Sequence, residues 1–403
     1  MKKFFTRIFY FLISILIILF TLFFSLFKKI KFCRADMSRL GGITFMDWHL
    51  SFNKLKKIKS ELIICFYDKT IDHVNNQWIK LWGQKIFLIR NESFFNILHY
   101  LILSFKLDNM LLINDKFLNQ KKIYNDSSYE SIRLIKEKYD LFVQDKEPNI
   151  KFSHNDNLIS KNFLKKLKLN EQNYVCFHNR DENFLRKNSK LQNWSHHSFR
   201  NSNIENYLEA ANYINDQRLN SVRVGKQTDC KLNKKFIYDY ANSDFQSDFG
   251  DISIIKNCFF FVCSDTGISN VAECFRKPLV YVNFAAFNDL FNVATISKGL
   301  IIFKKIYDPK LKRYLNFDEL KKLNIRGSNI LQILKQNNLI LEENSSVEIL
   351  DITKEMHLRQ IGKWQTNEND DKKQKYFWDK YFPGFNTSLS LKVGKKYLEE
   401  NLN

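Results

Sequence analysis

The sequence predicts an α/β protein with two parallel-sheet domains, preceded by an apolar N-terminal helix and followed by a helical tail. Three observations carry this. Short apolar runs alternate with helix-period stretches through most of the chain, the pattern of a mainly parallel sheet with helices on both faces. The 403 residues are 44% hydrophobic, enough for two ordinary cores, and only 4 Pro and 11 Gly leave little room for long linkers. Residues 8–27 carry no charge, and a helix of that length rises roughly 30 Å, the thickness of a bilayer's hydrocarbon core.

That apolar run is the first element. Lys2, Lys3 and Arg7 precede it; Lys28, Lys29, Lys31 and Arg34 follow it. It exceeds the roughly 7–15 apolar residues of a signal peptide, and no A-x-A-like site follows, so an anchor is expected rather than a cleaved leader. The downstream flank is the more basic, with Lys54, Lys56, Lys57 and Lys59 beyond it. By the positive-inside rule this favours an inner-membrane, single-pass protein with its main body in the cytoplasm.

Past the anchor, Leu62–Tyr67 and Lys85–Arg90 read as strands, and Phe94–Leu107 and Ser128–Tyr139 as helices. Residues 161–169 form a basic amphipathic stretch whose Lys161, Lys165, Lys166 and Lys168 suit a solvated face. A sharper series follows: strands at Tyr174–His178, Val222–Val224, Phe236–Tyr238, Phe259–Cys263 and Leu279–Val282, with helices at Asn206–Gln217, Asp248–Asn257 and Gly267–Phe275. After Lys298 the chain reads as helical and polar, with a capping box, Ser345-x-x-Glu348, before an apolar helix face. The expected division is 1–34 anchor, 35–170 first α/β domain, 171–300 second α/β domain and 301–403 helical extension.

Charge narrows the partners. Against 63 basic residues stand 43 acidic ones, a net charge of +20, which favours anionic lipid, phosphorylated substrates or nucleic acid. The basic residues are dispersed, and there is neither a helix-turn-helix pattern nor RNP-like aromatics, so nucleic acid is not expected. Seven cysteines, several in apolar strand-like runs and none in C-x-x-C, suit free buried thiols in a reducing compartment. No D-x-D or H-E-x-x-H occurs, so no metal or other cofactor is expected. His196-His197 lies in a polar stretch and reads as exposed, not metal-binding.

In an open α/β sheet ligands bind beyond the carboxyl ends of the strands. Three such ends carry polar residues: His178-Asn179-Arg180-Asp181, Arg223-Val224-Gly225, and Ser264-Asp265-Thr266-Gly267 before a helix. The last suits a phosphate cradle or, alternatively, an N-cap in which Ser264 or Asp265 satisfies free N–H groups. Arginines at two neighbouring strand ends suit pyrophosphate, which guanidinium binds in two-pronged fashion.

These segments, YVCFHNRDENFL, Arg200-Asn201 to Tyr207, SVRVGKQ and the stretch from Phe236 to Ala285, with Lys304-Lys305 to Leu315, Asn344 to Ile349 and Glu355-Met356-x-x-Arg359 in the tail, resemble an uncharacterised bacterial family of glycosyltransferases. The family's patterns resemble H-x-R-D at His178–Asp181, D-Y-x-x-S at Asp239–Ser243, S-D-x-x-D at Ser247–Asp251 and S-x-x-G at Ser264–Gly267, and its V-x-R-x-G is set against Ser221-Val222-Arg223-Val224-Gly225. Arg39-Leu40-Gly41-Gly42 is similar to that family's R-x-G-H loop, with Gly42 where His is usual. The H-x-R motif also resembles that of fucosyltransferases of the GT-B type. The resemblance implies two Rossmann-like domains facing a cleft, and transfer from a nucleotide sugar to a cell-surface glycan or lipid-linked acceptor, without metal and with inversion. It implies catalytic roles for Arg180, His178 and Asp181, donor binding by Arg223, Gly225, Ser264, Thr266, Gly267 and Asp251, and an acceptor loop at Arg39 and Gly41. Asp181 serves equally as a base or as an orienting partner of Arg180. Asp239, Asp248 and Asp251 read first as helix caps and structural partners for Arg223, with a direct role in the site as the alternative. Two other classes stay open: a catalytically silent glycan- or nucleotide-sugar-binding membrane protein on the same fold, and, on charge alone, a nucleic-acid-binding membrane protein.

Overall fold

The computed structural model describes residues 2–58, 60–68, 75–113, 145–188, 195–226, 228, 230–290, 299–383 and 391–402. It divides into two compact units, Met1–Phe152 and Ser153–Asn403.

In the first unit, α1 (Lys2–Phe24) leads into β1 (Ile30–Arg34), α2 (Phe45–Leu55), β2 (Leu62–Phe66), α3 (Asn76–Gly83), β3 (Phe87–Ile89), α4 (Glu92–Ser104) and the short α5 (Asp108–Leu111). The strands pair in parallel in the order β1-β2-β3, with Ile30 opposite Leu62 and Ile64 opposite Phe87. Leu112 adds a parallel bridge to Phe32 on the other side of β1. Asn75 and Asn91 cap α3 and α4 by accepting the N–H groups of Trp78 and Phe94. Phe94, Phe95, Leu98 and Ile102 of α4 pack with Phe32 and Phe66 into the core, joined by Ile18 of α1. The expected helix at 128–139 lies outside the described residues.

The second unit opens with α6 (His154–Lys166), held by a capping box between Ser153 and Asp156. Then come β4 (Tyr174–His178), α7 (Asn183–Asn188), α8 (Leu208–Asp216), β5 (Asn220–Arg223), β6 (Tyr238–Asp239), α9 (Asp248–Asn257), β7 (Phe261–Cys263), α10 (Ser269–Cys274) and β8 (Leu279–Phe284). The tail contributes β9 (Gly299–Phe303), β10 (Lys305–Asp308), β11 (Arg313–Tyr314), α11 (Phe317–Lys322), α12 (Ile330–Asn337), β12 (Ile340–Glu342), α13 (Ser346–Gln360), α14 (Glu368–Tyr381), β13 (Leu391–Val393) and α15 (Lys395–Asn401).

Seven strands form one parallel sheet in the order β13-β9-β8-β7-β4-β5-β6. Taken from β4, the six strands through β9 follow the 3-2-1-4-5-6 order of the doubly wound dinucleotide-type sheet. All residues of β8 and β9 are buried, as expected for strands covered on both faces.

Two sequence expectations are corrected. The unit boundary falls at Phe152/Ser153, not at 170. The reason is that α6 belongs to the second core, where the Ser160 hydroxyl meets that of Ser253 at 2.6 Å and accepts from Asn257 at 2.8 Å. Its Lys161, Lys165, Lys166 and Lys168 are exposed, as expected. The segment after 300 is no separate helical extension. β9 and β13 extend the main sheet, and β10, β11 and β12 form a small antiparallel sheet. These strands run only 2–5 residues, too short to show a period of two. The Ser345–Glu348 capping box is present at the start of α13.

All seven cysteines are free thiols; Cys230 is exposed and the other six are buried.

Candidate functional site

The chain leaves β4 for β5 on one side of the sheet and later returns to β7 on the other, although β4 and β7 are adjacent. The carboxyl ends of β4 and β7 therefore flank the topological switch point, where an open parallel sheet leaves a crevice. His178–Arg180 and Ser264–Gly267 both stand there. They are tied together, since the Arg180 backbone N–H donates to the Ser264 hydroxyl at 2.9 Å.

Arg180 is only 7% exposed. Its guanidinium donates to the His197 carbonyl at 3.1 Å and to the Asn201 side-chain oxygen. Burial, then repulsion from Arg200, pulls its pKa down to about 10, against the weaker pull of Asp265, Glu182 and Asp181. From the exit of β9, Lys304 reaches the Asn201 carbonyl at 2.5 Å. It too is buried, and burial lowers its pKa to about 8, with Glu343 opposing and Arg180 adding repulsion. Arg200 completes the group, forked onto the Asp265 carbonyl at 3.0 and 2.6 Å and paired with its carboxylate at 3.1 Å. Of these three cations only Arg200 has an ion pair among the described residues.

One residue after Asp265, the Thr266 hydroxyl is buried with no hydrogen-bond partner among the described residues. A buried polar atom in that state is costly unless something supplies a partner. Two buried cations resting on neutral oxygens are costlier still. The arrangement fits a multiply charged anion whose oxygens would take all three groups.

His178 turns the other way. Its Nδ1 lies 2.9 Å from the Val224 carbonyl, which can only accept, so the proton sits on Nδ1 and Nε2 keeps its lone pair. Burial, helped by repulsion from Arg223 and Arg180, lowers its pKa to about 4 despite the hydrogen bond to Val224. A neutral imidazole of that kind suits accepting a hydroxyl hydrogen bond and makes a weak base near neutrality. Gly225 holds a φ of +144°, and a Cβ there would stand 3.3 Å from the His178 ring nitrogen, so the glycine keeps this ring in place.

The other sequence candidates fall elsewhere. Arg223 is fully buried: it donates to the Cys230 carbonyl at 2.7 Å and the Asn179 side-chain oxygen at 3.3 Å, with the Asp239 carboxylate at 3.8 Å. It ties β4, β5 and β6 together within the unit, with its side chain fully enclosed. Asp181 accepts the backbone N–H of Asn183 at 2.8 Å and so shapes the turn into α7. Asp251 sits 5% exposed in the first turn of α9, held by Gln246 at 3.0 and 3.1 Å; burial raises its pKa to about 7. Asp248 pairs with Lys226 at 3.3 Å, and it is Ser247 that caps α9.

The turn at Ser264–Gly267 is not an N-cap of the next helix. α10 begins at Ser269, two residues later than expected, and its N-cap, Ile268, makes no side-chain cap. At six residues it is short, so the anion-binding argument rests on side chains and not on a helix end. Gly267 is partly exposed beside Thr266.

In the first unit Arg39 is exposed and pairs with Asp36 at 2.5 Å, while the Gly41 carbonyl accepts from the Thr44 hydroxyl at 2.8 Å. At Gly42 a Cβ would lie 1.7 Å from the Asp36 carbonyl oxygen, so this backbone path excludes the histidine of the R-x-G-H pattern. Among the described residues no group of three or more His, Cys, Asp or Glu side chains is placed to hold a metal ion.

In the sequence Lys304, Arg200 and Asn201 have a place in the segments that carry the resemblance but no role in the site; Lys304 directly follows the apolar run GLIIF, a strand end like the others.

No family model matches the chain, and no curated protein matches it. Among solved structures it is similar to a glycosyl transferase of family 9 from Veillonella parvula DSM 2008, at 12% identity and a TM-score of 0.44 over 76% of this chain and 96% of that one. It is also similar to the E. coli ADP-heptose lps heptosyltransferase II, at 14% identity and a TM-score of 0.37 over 76% and 98% of the two chains. A third likeness is to E. coli heptosyltransferase WaaC with ADP, at 10% identity and a TM-score of 0.34 over 77% and 98%. At these values the functional reading rests on the site itself.

Proposed function

We propose that the chain is a glycosyltransferase that takes its sugar from a nucleotide-sugar donor and binds the donor's diphosphate at the switch point of the second unit. One observation carries the reading: at the strand ends of the switch point Arg180 and Lys304 are buried cations without an ion pair among the described residues, and the turn after β7 holds a buried Thr266 hydroxyl without a partner among them. A diphosphate would satisfy all three. As the glycosidic bond breaks, its electron pair goes to the departing phosphate oxygen, and fixed cations in a dry site stabilise that charge without a metal. Ser264 sets the Arg180 backbone, and His178, neutral with Nε2 open, accepts a hydrogen bond from a donor or acceptor hydroxyl. Asp251, Arg39 and Gly41 have no assigned step here.

The acceptor in this reading is a cell-surface glycan or a lipid-linked one, and the outcome inverts the anomeric centre. α1 supports a membrane location: residues 4–24 form the one candidate span among the described residues. The inner membrane with a cytoplasmic body follows from the basic flanks.

The test is a thermal-shift panel of nucleoside diphosphates and nucleotide sugars, followed by transfer of labelled sugar. A ligand at 100 times its Kd adds about 2.7 kcal/mol of stability, a readable shift. Absence of any shift with every nucleotide refutes the donor site. Shifts without transfer to any acceptor leave a nucleotide-sugar-binding protein instead.

A further inference from the structure

Between Ile8 and Phe27 the only polar side chains are Tyr10, Ser14, Thr21 and Ser25. At about 100° per residue all four fall within one narrow arc of the helix. That arc is the docked one: Ser14 and Thr21 are buried, Tyr10 and Ser25 partly so, with Ile13, Ile17, Ile18 and Leu22 between them. They pack on α4 and the sheet behind it. The Asn91 amide donates to the Tyr10 hydroxyl at 3.2 Å, and the Tyr10 ring meets Phe94 edge-on at 5.4 Å. The opposite face is apolar and open, with Phe4, Leu16 and Phe23 each more than 60% exposed.

A helix docked along four turns cannot also be ringed by lipid. Crossing the bilayer would either strip α1 from the unit or draw α4, with Glu92, Asn96 and His99, into hydrocarbon, where unsatisfied polar groups are costly. The same unit exposes further apolar side chains: α4 exposes Tyr100 at 68% and Leu103, Phe105 follows it, and Met110 of α5 is exposed. Arg7, Lys28 and Lys29 at the ends of α1 and Lys106 just after α4 are exposed, and no acid occurs before Asp36.

We propose that the first unit rests on a single leaflet of an anionic bilayer, with α1 lying along the surface and its outer face in the acyl chains, instead of spanning the membrane. The basic residues meet lipid phosphates, and Tyr100 and Phe105 enter the interface. This deepens the membrane reading of α1 and is independent of the donor site.

The full chain is examined in sealed, inverted inner-membrane vesicles with a membrane-impermeant maleimide. Cys230, the one exposed native thiol, reports the side of the second unit. Thr6→Cys in a Cys230→Ser background reports the start of α1. Labelling of both from the same side is expected; labelling from opposite sides means α1 spans and overturns the proposal. The second arm measures binding of purified protein to phosphatidylethanolamine vesicles with and without phosphatidylglycerol. Tyr100→Asp and Phe105→Asp lie outside α1 on exposed positions, so the fold tolerates them. Each should weaken binding to the anionic vesicles about tenfold. Unchanged binding overturns the proposal, and failure of the parent chain to bind vesicles at all overturns the membrane reading with it.

Discussion

Lys304→Met offers a test in which stability and ligand binding move in opposite directions. The pKa of Lys304 falls from 10.5 to about 8, burial first. A drop of that size means about 3 kcal/mol spent on holding the charge. Methionine fills similar space without charge but deprives the Asn201 carbonyl of its donor, a loss of about 1 kcal/mol. Ligand-free Lys304→Met should therefore be about 2 kcal/mol more stable than the parent near neutral pH. It should also lose most of the stabilisation that nucleoside diphosphates give the parent. The pH dependence has a definite sign. From about pH 8 to 10.5 the unfolded chain holds a proton that the folded one has released, so parent stability rises through this window and the variant's advantage disappears. Urea unfolding of both proteins near neutrality and at the top of the window measures this. A variant less stable than the parent near neutrality, or a parent whose stability is flat across the window, would show that Lys304 is already compensated in the fold and would refute the anion-site argument.

Arg180→Ala should cut turnover by roughly 10²–10³ while raising the donor KM less, and Arg180→Lys should rescue poorly, because a point charge lacks the two-pronged contact. Near-normal turnover in steady-state kinetics of a folded variant removes Arg180 from the mechanism. Arg223→Met should instead act on the fold, costing about 3–5 kcal/mol in denaturant melts because it leaves Asp239 buried beside no cation. Asp251 titrates at about 7 in the folded chain, so the parent loses stability as pH rises from 3.8 towards 7, and Asp251→Asn should flatten that slope in a pH series of melts. EDTA should leave transfer unchanged; an activity lost to chelation and restored by Mg²⁺ or Mn²⁺ would overturn the metal-free reading.

The sequence exposed those parts of the fold whose signal is local. YVCFH reads as a strand because its four buried residues, Tyr174–Phe177, form one apolar run in a parallel sheet, and the sequence pattern gives α9 its observed bounds, Asp248–Asn257. β9 and β13 escaped because pairing across the sheet, not local pattern, makes strands of GLIIF and LKV. The two strand-end arginines show the same limit at the site. Arg223 is the last residue of β5, opposite Phe177 in the ladder, and its side chain is enclosed between neighbouring strand ends. Arg180 stands two residues beyond β4, where the chain has left the sheet, and its guanidinium meets the His197 carbonyl and the Asn201 side chain. Residue type and strand-end position were alike in both; direction was not written locally. Lys304 and Arg200 acquire meaning only when separate strand ends meet.

The clash at Gly42 has a bearing on how this loop can be redesigned or can drift. With a β-carbon falling 1.7 Å from the Asp36 carbonyl, every other amino acid fails there for the same reason, whatever its chemistry. A histidine cannot be restored by one codon change; segment 36–43 would have to be rebuilt along a different path first. A library that randomises the loop gains nothing at position 42, and its diversity belongs at Arg39, whose side chain already stands in solvent.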